Sequence, residues 1–322
     1  MKVLVLGGAG YIGSHTVYML IERGYEVVIV DNLATGFECL IHPEATFYKG
    51  DIRDKEFLTK VFTEEEIIGV IHFAANSLVG ESMEKPLKYY DNNVYGTQVL
   101  LEVMNEFSVK SIVFSSSAAT YGNVEVMPIT EDSPNSPSSA YGETKVVMEK
   151  MMKWCDIAYG IKYVALRYFN ACGAHPNGVI GELHNPETHL IPLVLQVPLG
   201  KREFISVYGN DYKTNDGTCI RDYIHVVDLA DAHIKALEYL EKGGVSDYFN
   251  LGSGVGFSVL EIIDAAERVV GSEIKREIVG RRAGDPDILV ASNVKAKTVL
   301  GWELKHSEIE EIISSAWNFY NK

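Results

Sequence analysis

A tyrosine and a lysine stand four residues apart in "SAYGETK" (139–145). On a helix, Tyr141 and Lys145 would share one face with their Cβ atoms ~6 Å apart. A phenol beside an ammonium is a candidate base. A free phenol titrates near pH ~10, so service at neutrality needs a drop of roughly 3 units, about 4 kcal/mol. One positive charge about 4 Å away, at an effective dielectric of ~20, supplies that amount. The spacing alone reads more often as a half-buried ring beside a solvated amine, so other residues must decide.

Two further groups raise the reading. "SIVFSS" (111–116) is strand-like and runs into "SSSAATYG", which delivers hydroxyls, Ser117 foremost, to the C-terminal edge of a sheet. That edge is where wound α/β sheets bind ligands. "GGAGYIG" carries Gly8-x-Gly10-x-x-Gly13, with glycine at every third position through Gly7, Gly10 and Gly13. Glycines there permit a sharp turn and close approach to a pyrophosphate, and the following helix offers unpaired N–H groups. Asp31 follows Gly13 by 18 residues, close to the spacing at which a carboxylate accepts from both ribose hydroxyls. Because a carboxylate there repels a 2′-phosphate, NAD rather than NADP is expected.

The elements that must position these groups alternate. Apolar runs at 2–6, 26–30, 69–74, 111–116 and 162–168 read as strands. Helical stretches run near 86–107, 140–159 and 226–244, and 247–254 reads as a returning strand. Continuous apolar strands separated by helices predict an α/β fold, a doubly wound parallel sheet covered on both faces. After Tyr168 the loop "NACGAHPNGVIGELHNPETHLIP" breaks the rhythm, which predicts a smaller mixed α/β substrate domain. The expected division is 1–170 plus about 222–252 for the cofactor, and about 171–221 plus 253–322 for the substrate.

Composition narrows the classes. The chain has 322 residues, 47% of them apolar, and a net charge of −15 without a long basic run. A nucleic-acid partner is therefore not expected, and an anionic ligand must be held by placed arginines and backbone amides. Cys39, Cys155, Cys172 and Cys219 form no CxxC pair and are expected to be reduced and buried. His175, His184 and His189 lie in the irregular loop without a repeated spacing and read as polar loop residues, so no metal is expected. The opening "MKVLVLGGAG" is too short for a signal-peptide core, and no run of about 18 apolar residues occurs, so no membrane association and a cytoplasmic location are expected.

Taken in order, "GGAGYIGSHT", "DNL", "GDIRD", "VIHFAA", "VGES", "KPLKYYDNNV", "FSSSAATYG", "YGETK", "RYFNACGAHP", "YGNDY", "DGTCIRDYIHV", "YFNLGSGVG" and "RRAGD" run nearly end to end. In these motifs the chain resembles the extended short-chain dehydrogenase/reductase family, whose fold is Rossmann-type. The resemblance is closest to members that invert nucleotide sugars at C4. It implies Ser117, Tyr141 and Lys145 as the catalytic set. It implies NAD contacts from Gly7, Gly10, Tyr11, Ile12, Gly13, Asp31, Asn32, Asp51, Ile52, Phe73, Ala74, Asn92, Ser115 and Phe169, besides Tyr141 and Lys145. Asn170, His189, Leu190, Tyr208, Arg221, Arg282, Asp285 and Leu289, with Ser117, would address the sugar nucleotide.

One position departs: many relatives carry a lysine where this chain has Ser77. The implied reaction exchanges UDP-glucose and UDP-galactose through a 4-keto sugar, with some room for UDP-N-acetylhexosamines beside Leu289. Tyr141 would act as the base, its phenol kept acidic by Lys145. A 4,6-dehydratase needs an acid next to the catalytic hydroxyl, and Ala118 and Ala119 follow Ser117 instead. A regulator that merely senses NAD has no use for Ser117, Tyr141 and Lys145 together. The family also implies a homodimer built on the Tyr141 helix and the 86–107 helix.

Overall fold

The computed structural model describes residues 2–282 and 285–322. The first half contains β1 (Lys2–Leu6), α1 (Tyr11–Glu22), β2 (Glu26–Asp31), β3 (Thr46–Lys49), α2 (Lys55–Glu64) and β4 (Ile67–His72). It continues through α3 (Val79–Glu84), α4 (Pro86–Tyr89), α5 (Gly96–Glu106), β5 (Ser111–Ser117), α6 (Ala140–Tyr159) and β6 (Lys162–Tyr168). Then come β7 (Asn170–Cys172), α7 (Leu190–Leu195), β8 (Ile205–Tyr208), β9 (Ile220–His225), α8 (Val226–Glu241) and β10 (Asp247–Leu251). The chain closes with β11 (Gly256–Ser258), α9 (Val259–Val270), β12 (Arg276–Val279), β13 (Ile288–Leu289), α10 (Val294–Leu300) and α11 (Ile309–Tyr320).

Seven strands form one parallel sheet in the order β10-β6-β5-β4-β1-β2-β3. Val3 to Leu6 are fully buried, as are Ile112 to Phe114, because helices cover both faces. This is the doubly wound α/β fold expected from the alternation. The winding reverses between β1 and β4, which opens a crevice at the C-terminal ends of those strands. β4 ends at His72, two residues earlier than the apolar run suggests. Phe73 and Ala74 instead turn across the sheet edge, and both N–H groups donate to the Leu6 carbonyl, at 2.8 and 3.0 Å.

The expected long helix over 86–107 is interrupted. Tyr90–Tyr95 winds as a wider π-type turn between α4 and α5. Such turns often mark functional positions. Here it aims the buried Asn93 inward, whose Oδ1 accepts from Asn76 N at 2.8 Å and whose Nδ2 donates to Thr144 Oγ1 at 3.1 Å. The turn thus fastens the loop after β4 to α6. Helix α6 is itself set by Ser139, whose hydroxyl accepts from Gly142 N at 3.1 Å, and by Gly160 in the left-handed region at its end.

Two smaller sheets lie beyond β6: β11-β9-β13 with β7 on β9, and β12 with β8. β11 runs antiparallel to β9 and the other pairings are parallel, so this region is mixed. Its own core gathers Ile191, Val194 and Leu195 against Ile262, Ile263 and Ile312. All four cysteines are free, but Cys39 is exposed and Cys155 half-buried, contrary to the expectation of four buried thiols. In the short turn Glu38–Leu40 it is Leu40 that points inward, which leaves Cys39 outside. Among the described residues no helix is long and apolar enough to cross a membrane.

Candidate active site

The glycine turn after β1 is packed to its limit. Gly7 has φ +80°, and a Cβ on it would lie 2.7 Å from Ala74 N across the crevice. A Cβ on Gly13 would lie 2.1 Å from the Gly7 carbonyl oxygen. Helix α1 begins at Gly10 with neither a side-chain cap nor an acidic residue in its first turn, so its N–H groups suit an anion. Tyr11 is buried at its start, with its hydroxyl donating to Gly173 O, and Ile12 is half-buried.

Asp31 closes β2 beside this turn. Its carboxylate accepts from Ala9 N at 3.0 Å and Leu33 N at 2.8 Å. Burial lifts its pKa, and those two hydrogen bonds oppose the lift. Exposed Asn32 donates to Asp51 Oδ2 at 3.0 Å. Asp51 is held well below the usual carboxylate range, chiefly by its hydrogen bonds with Arg53. Ile52 is buried beside it and Ser77 stands exposed in the loop after β4. A close-packed glycine cradle, a free helix N-terminus and a carboxylate at the end of β2 fit an adenine dinucleotide.

Ser117 ends β5, and its Oγ accepts from Ala119 N at 3.1 Å. Tyr141, in the first turn of α6, is buried, with the Ser117 side chain near enough to oppose the rise of its pKa. Lys145 is 2% exposed; its Nζ donates to the Ser115 carbonyl at 2.7 Å and lies 5.7 Å from the centre of the Tyr141 ring. The three groups converge, but their electrostatics differ from the expectation. Burial raises the Tyr141 phenol, the Ser117 side chain opposing it, and burial draws Lys145 down to about 7 against the pull of Glu149. A buried amine carries less charge at neutrality and points at a carbonyl, so these protein groups alone do not make the phenol acidic.

Sequence reasoning passed over two supports. Arg167 on β6 makes paired bonds to Glu149 of 2.9 and 2.6 Å, and Ser116 Oγ donates to the same carboxylate at 2.6 Å. Glu149 continues the i, i+4 ladder from Tyr141 through Lys145, so its position was available in the sequence. In "YYDNNV" only Asn92 was singled out; it is half-buried and donates to Asn93 Oδ1 at 3.0 Å, whereas Asn93 ties the loops together.

The residues assigned to the sugar nucleotide form a chain of contacts on the smaller sheets. The Arg282 guanidinium stacks 4.0 Å from the centre of the Tyr208 ring. Asp285 N donates to Arg282 O at 3.4 Å, and the Asp285 carboxylate pairs with Arg221 on β9. Leu289 is half-buried and stands opposite Arg221 in the β13–β9 register. Phe169 N donates to Leu251 O at 3.3 Å between β6 and β7, and Asn170 is exposed. Leu190 opens α7, but His189 turns its Nδ1 to Glu182, 2.5 Å away. The irregular loop, whose histidines the sequence presents as polar loop residues, gathers His184 and His189 around Glu182 and Glu187.

The model of the NAD dependent epimerase/dehydratase family matches residues 3–252. The chain is 58% identical over 323 residues to the UDP-glucose 4-epimerase of Streptococcus mutans, covering 100% of this chain and 97% of that protein. A crystal structure of a UDP-glucose 4-epimerase superposes with a TM-score of 0.98 at 58% identity, covering 100% of this chain and 98% of the other. The crystal structure of UDP-glucose 4-epimerase from Brucella ovis in complex with NAD superposes with a TM-score of 0.96 at 46% identity, covering 98% and 97%.

Proposed function

This chain belongs to the NAD dependent epimerase/dehydratase family, and we propose that it interconverts UDP-glucose and UDP-galactose by inversion at C4 with NAD as its cofactor. The observation that carries the reading is the convergence of Ser117, Tyr141 and Lys145 beside the glycine cradle. Gly7, Gly10, Gly13 and Asp31 hold the dinucleotide, with Asn32, Asp51, Ile52, Phe73, Ala74, Asn92, Ser115 and Phe169 around it. When bound, NAD supplies a cationic ring that takes up and returns the two electrons and hydrogen of C4. Tyr141 accepts the proton of the 4-hydroxyl as a phenolate, which the positive charge of the bound cofactor ring would favour where Lys145 alone does not, and later returns it. Ser117, beside the same phenol, holds the sugar's 4-oxygen and passes the proton. Lys145, fixed by the Ser115 carbonyl, orients the cofactor ribose.

In a protein of net charge −15 the diphosphate needs placed cations, and Arg221 and Arg282 serve as those. Residues 1–170 plus about 222–252 form the cofactor part, and about 171–221 plus 253–322 the UDP-sugar part. The enzyme works in the cytoplasm as a homodimer joined through α5 and α6. Support for that face is a shallow hollow of about 500 Å³ lined by Leu101, Met151, Trp154 and Cys155, where Trp154 is 66% exposed.

The test is conversion of UDP-galactose, followed by coupled oxidation of the UDP-glucose formed. Tyr141→Phe is expected to lower kcat by roughly 10³-fold while KM stays within about 3-fold. Unchanged turnover in that variant, or a dehydrated 6-deoxy product from the wild type, overturns the reading.

A further inference from the structure

Two carboxylates and two imidazoles fall within the eight residues Glu182 to His189, ahead of α7 and outside any helix or strand. One ligand atom from each lies within 4.8 Å of the other three. His184 Nδ1 is 3.4 Å from Glu182 Oε1 and 3.3 Å from Glu187 Oε2, and His189 Nδ1 is 2.5 Å from Glu182 Oε1. A tetrahedral zinc with bonds of about 2.0–2.1 Å has ligand-to-ligand edges of about 3.4 Å. Two of these three separations already have that length and the third must open.

We propose that Glu182, His184, Glu187 and His189 form a structural zinc site, independent of the sugar chemistry above. Imidazole nitrogens select first-row metals such as zinc over calcium or magnesium, and four protein ligands leave no open position for catalysis. Two carboxylates with two neutral imidazoles carry −2, which one divalent cation balances. Glu182 is 2% exposed, and among the described residues its ion-pair partners are these two histidines alone. A carboxylate so buried is either paired or coordinates a metal, and zinc would bind through the same imidazole nitrogens that now face it.

The surroundings fix the ligands as an outer shell does. Glu187 Oε1 accepts from the N–H groups of Thr188 at 2.7 Å and His189 at 2.8 Å, which leaves Oε2 for the cluster. Tyr320 on α11 donates its hydroxyl to Glu182 O at 2.6 Å, and the Tyr11 ring meets His184 edge-on at 5.9 Å. The ion therefore clamps the loop before α7 between the glycine turn and the C-terminal helix. On this proposal His189 is a metal ligand rather than the sugar contact expected from the sequence, and the chain holds a metal that the sequence reading does not expect.

The experiment uses the whole protein, purified without chelators or a histidine tag and equilibrated with zinc sulfate. Elemental analysis is expected to give about one zinc per chain, and less than about a tenth of that in Glu187→Gln and His184→Ala. Circular dichroism checks that both variants are folded. Chelated wild type titrated with cobalt(II) is expected to develop the intense visible bands of a four-coordinate site, with a raised melting temperature. Wild type that retains no zinc, folded variants that retain it in full, or a cobalt spectrum of the weak octahedral kind overturns the site.

Discussion

Leu289 stands where one side chain can set which sugars fit. Its backbone registers with Arg221, whose guanidinium pairs with Asp285, so it borders the residues proposed for the sugar nucleotide. It is half-buried, which leaves part of the side chain to face a ligand. Leucine is shorter than tyrosine and has no hydroxyl to anchor, so wild type is expected to accept UDP-N-acetylglucosamine in part. Leu289→Tyr is expected to lower kcat/KM for the N-acetylated sugar by at least ~10-fold and for UDP-glucose by less than about 2-fold. Equal loss on both sugars would mean that Leu289 only packs the small sheet. The catalytic pair teaches a related lesson. The helical spacing of Tyr141 and Lys145 was legible, but the pKa direction was not, because it depends on burial that only the assembled fold supplies.

Elements differ in how plainly the sequence announces them. β1, β2, β5 and β6 are near-continuous apolar runs because helices cover both their faces, and their shortness and β-branched content mark them as strands rather than buried helix. The π-type turn at Tyr90–Tyr95 was not legible, since its side chains follow an ordinary helical rhythm and its widening accompanies the long-range bonds of Asn93. The His–Glu loop was missed for another reason: E-x-H-x-x-E-x-H follows neither helical nor strand period, and its ligands meet only through loop closure. The glycine turn was the clearest of all, because sterics leave no alternative residue. Gly13→Ala places a Cβ 2.1 Å from the Gly7 oxygen, so α1 must shift from β1. NAD affinity is expected to fall by at least ~10-fold, about 1.4 kcal/mol. Gly80→Ala, on exposed α3 with no atom within 4 Å of the new Cβ, is the control and should change nothing.

Across the whole molecule, four buried histidines couple stability to the pH of the solvent. His15 on α1, His72 at the end of β4, His225 at the end of β9 and His233 on α8 span the main sheet and the mixed region. Burial pulls the first three to about 3 and His233 to about 4. Among the described residues His15 Nε2, His72 Nδ1 and His233 Nε2 have no hydrogen-bond partner, so a proton added there would be buried without an acceptor. The sign follows from linkage: below the ordinary histidine value near ~6.5 the unfolded chain binds protons that the folded chain refuses, so stability falls as pH falls. No such penalty operates above that value. Between pH 7 and pH 5 each such histidine removes on the order of 2 kcal/mol, a large share of the roughly 5–15 kcal/mol that holds a typical domain folded. The urea midpoint should therefore drop steeply below about pH 6.5, with unfolding at pH 5 taking up roughly one proton per buried histidine. A midpoint that holds steady down to pH 5, or unfolding that takes up no protons, would show that these imidazoles are already charged in the folded protein.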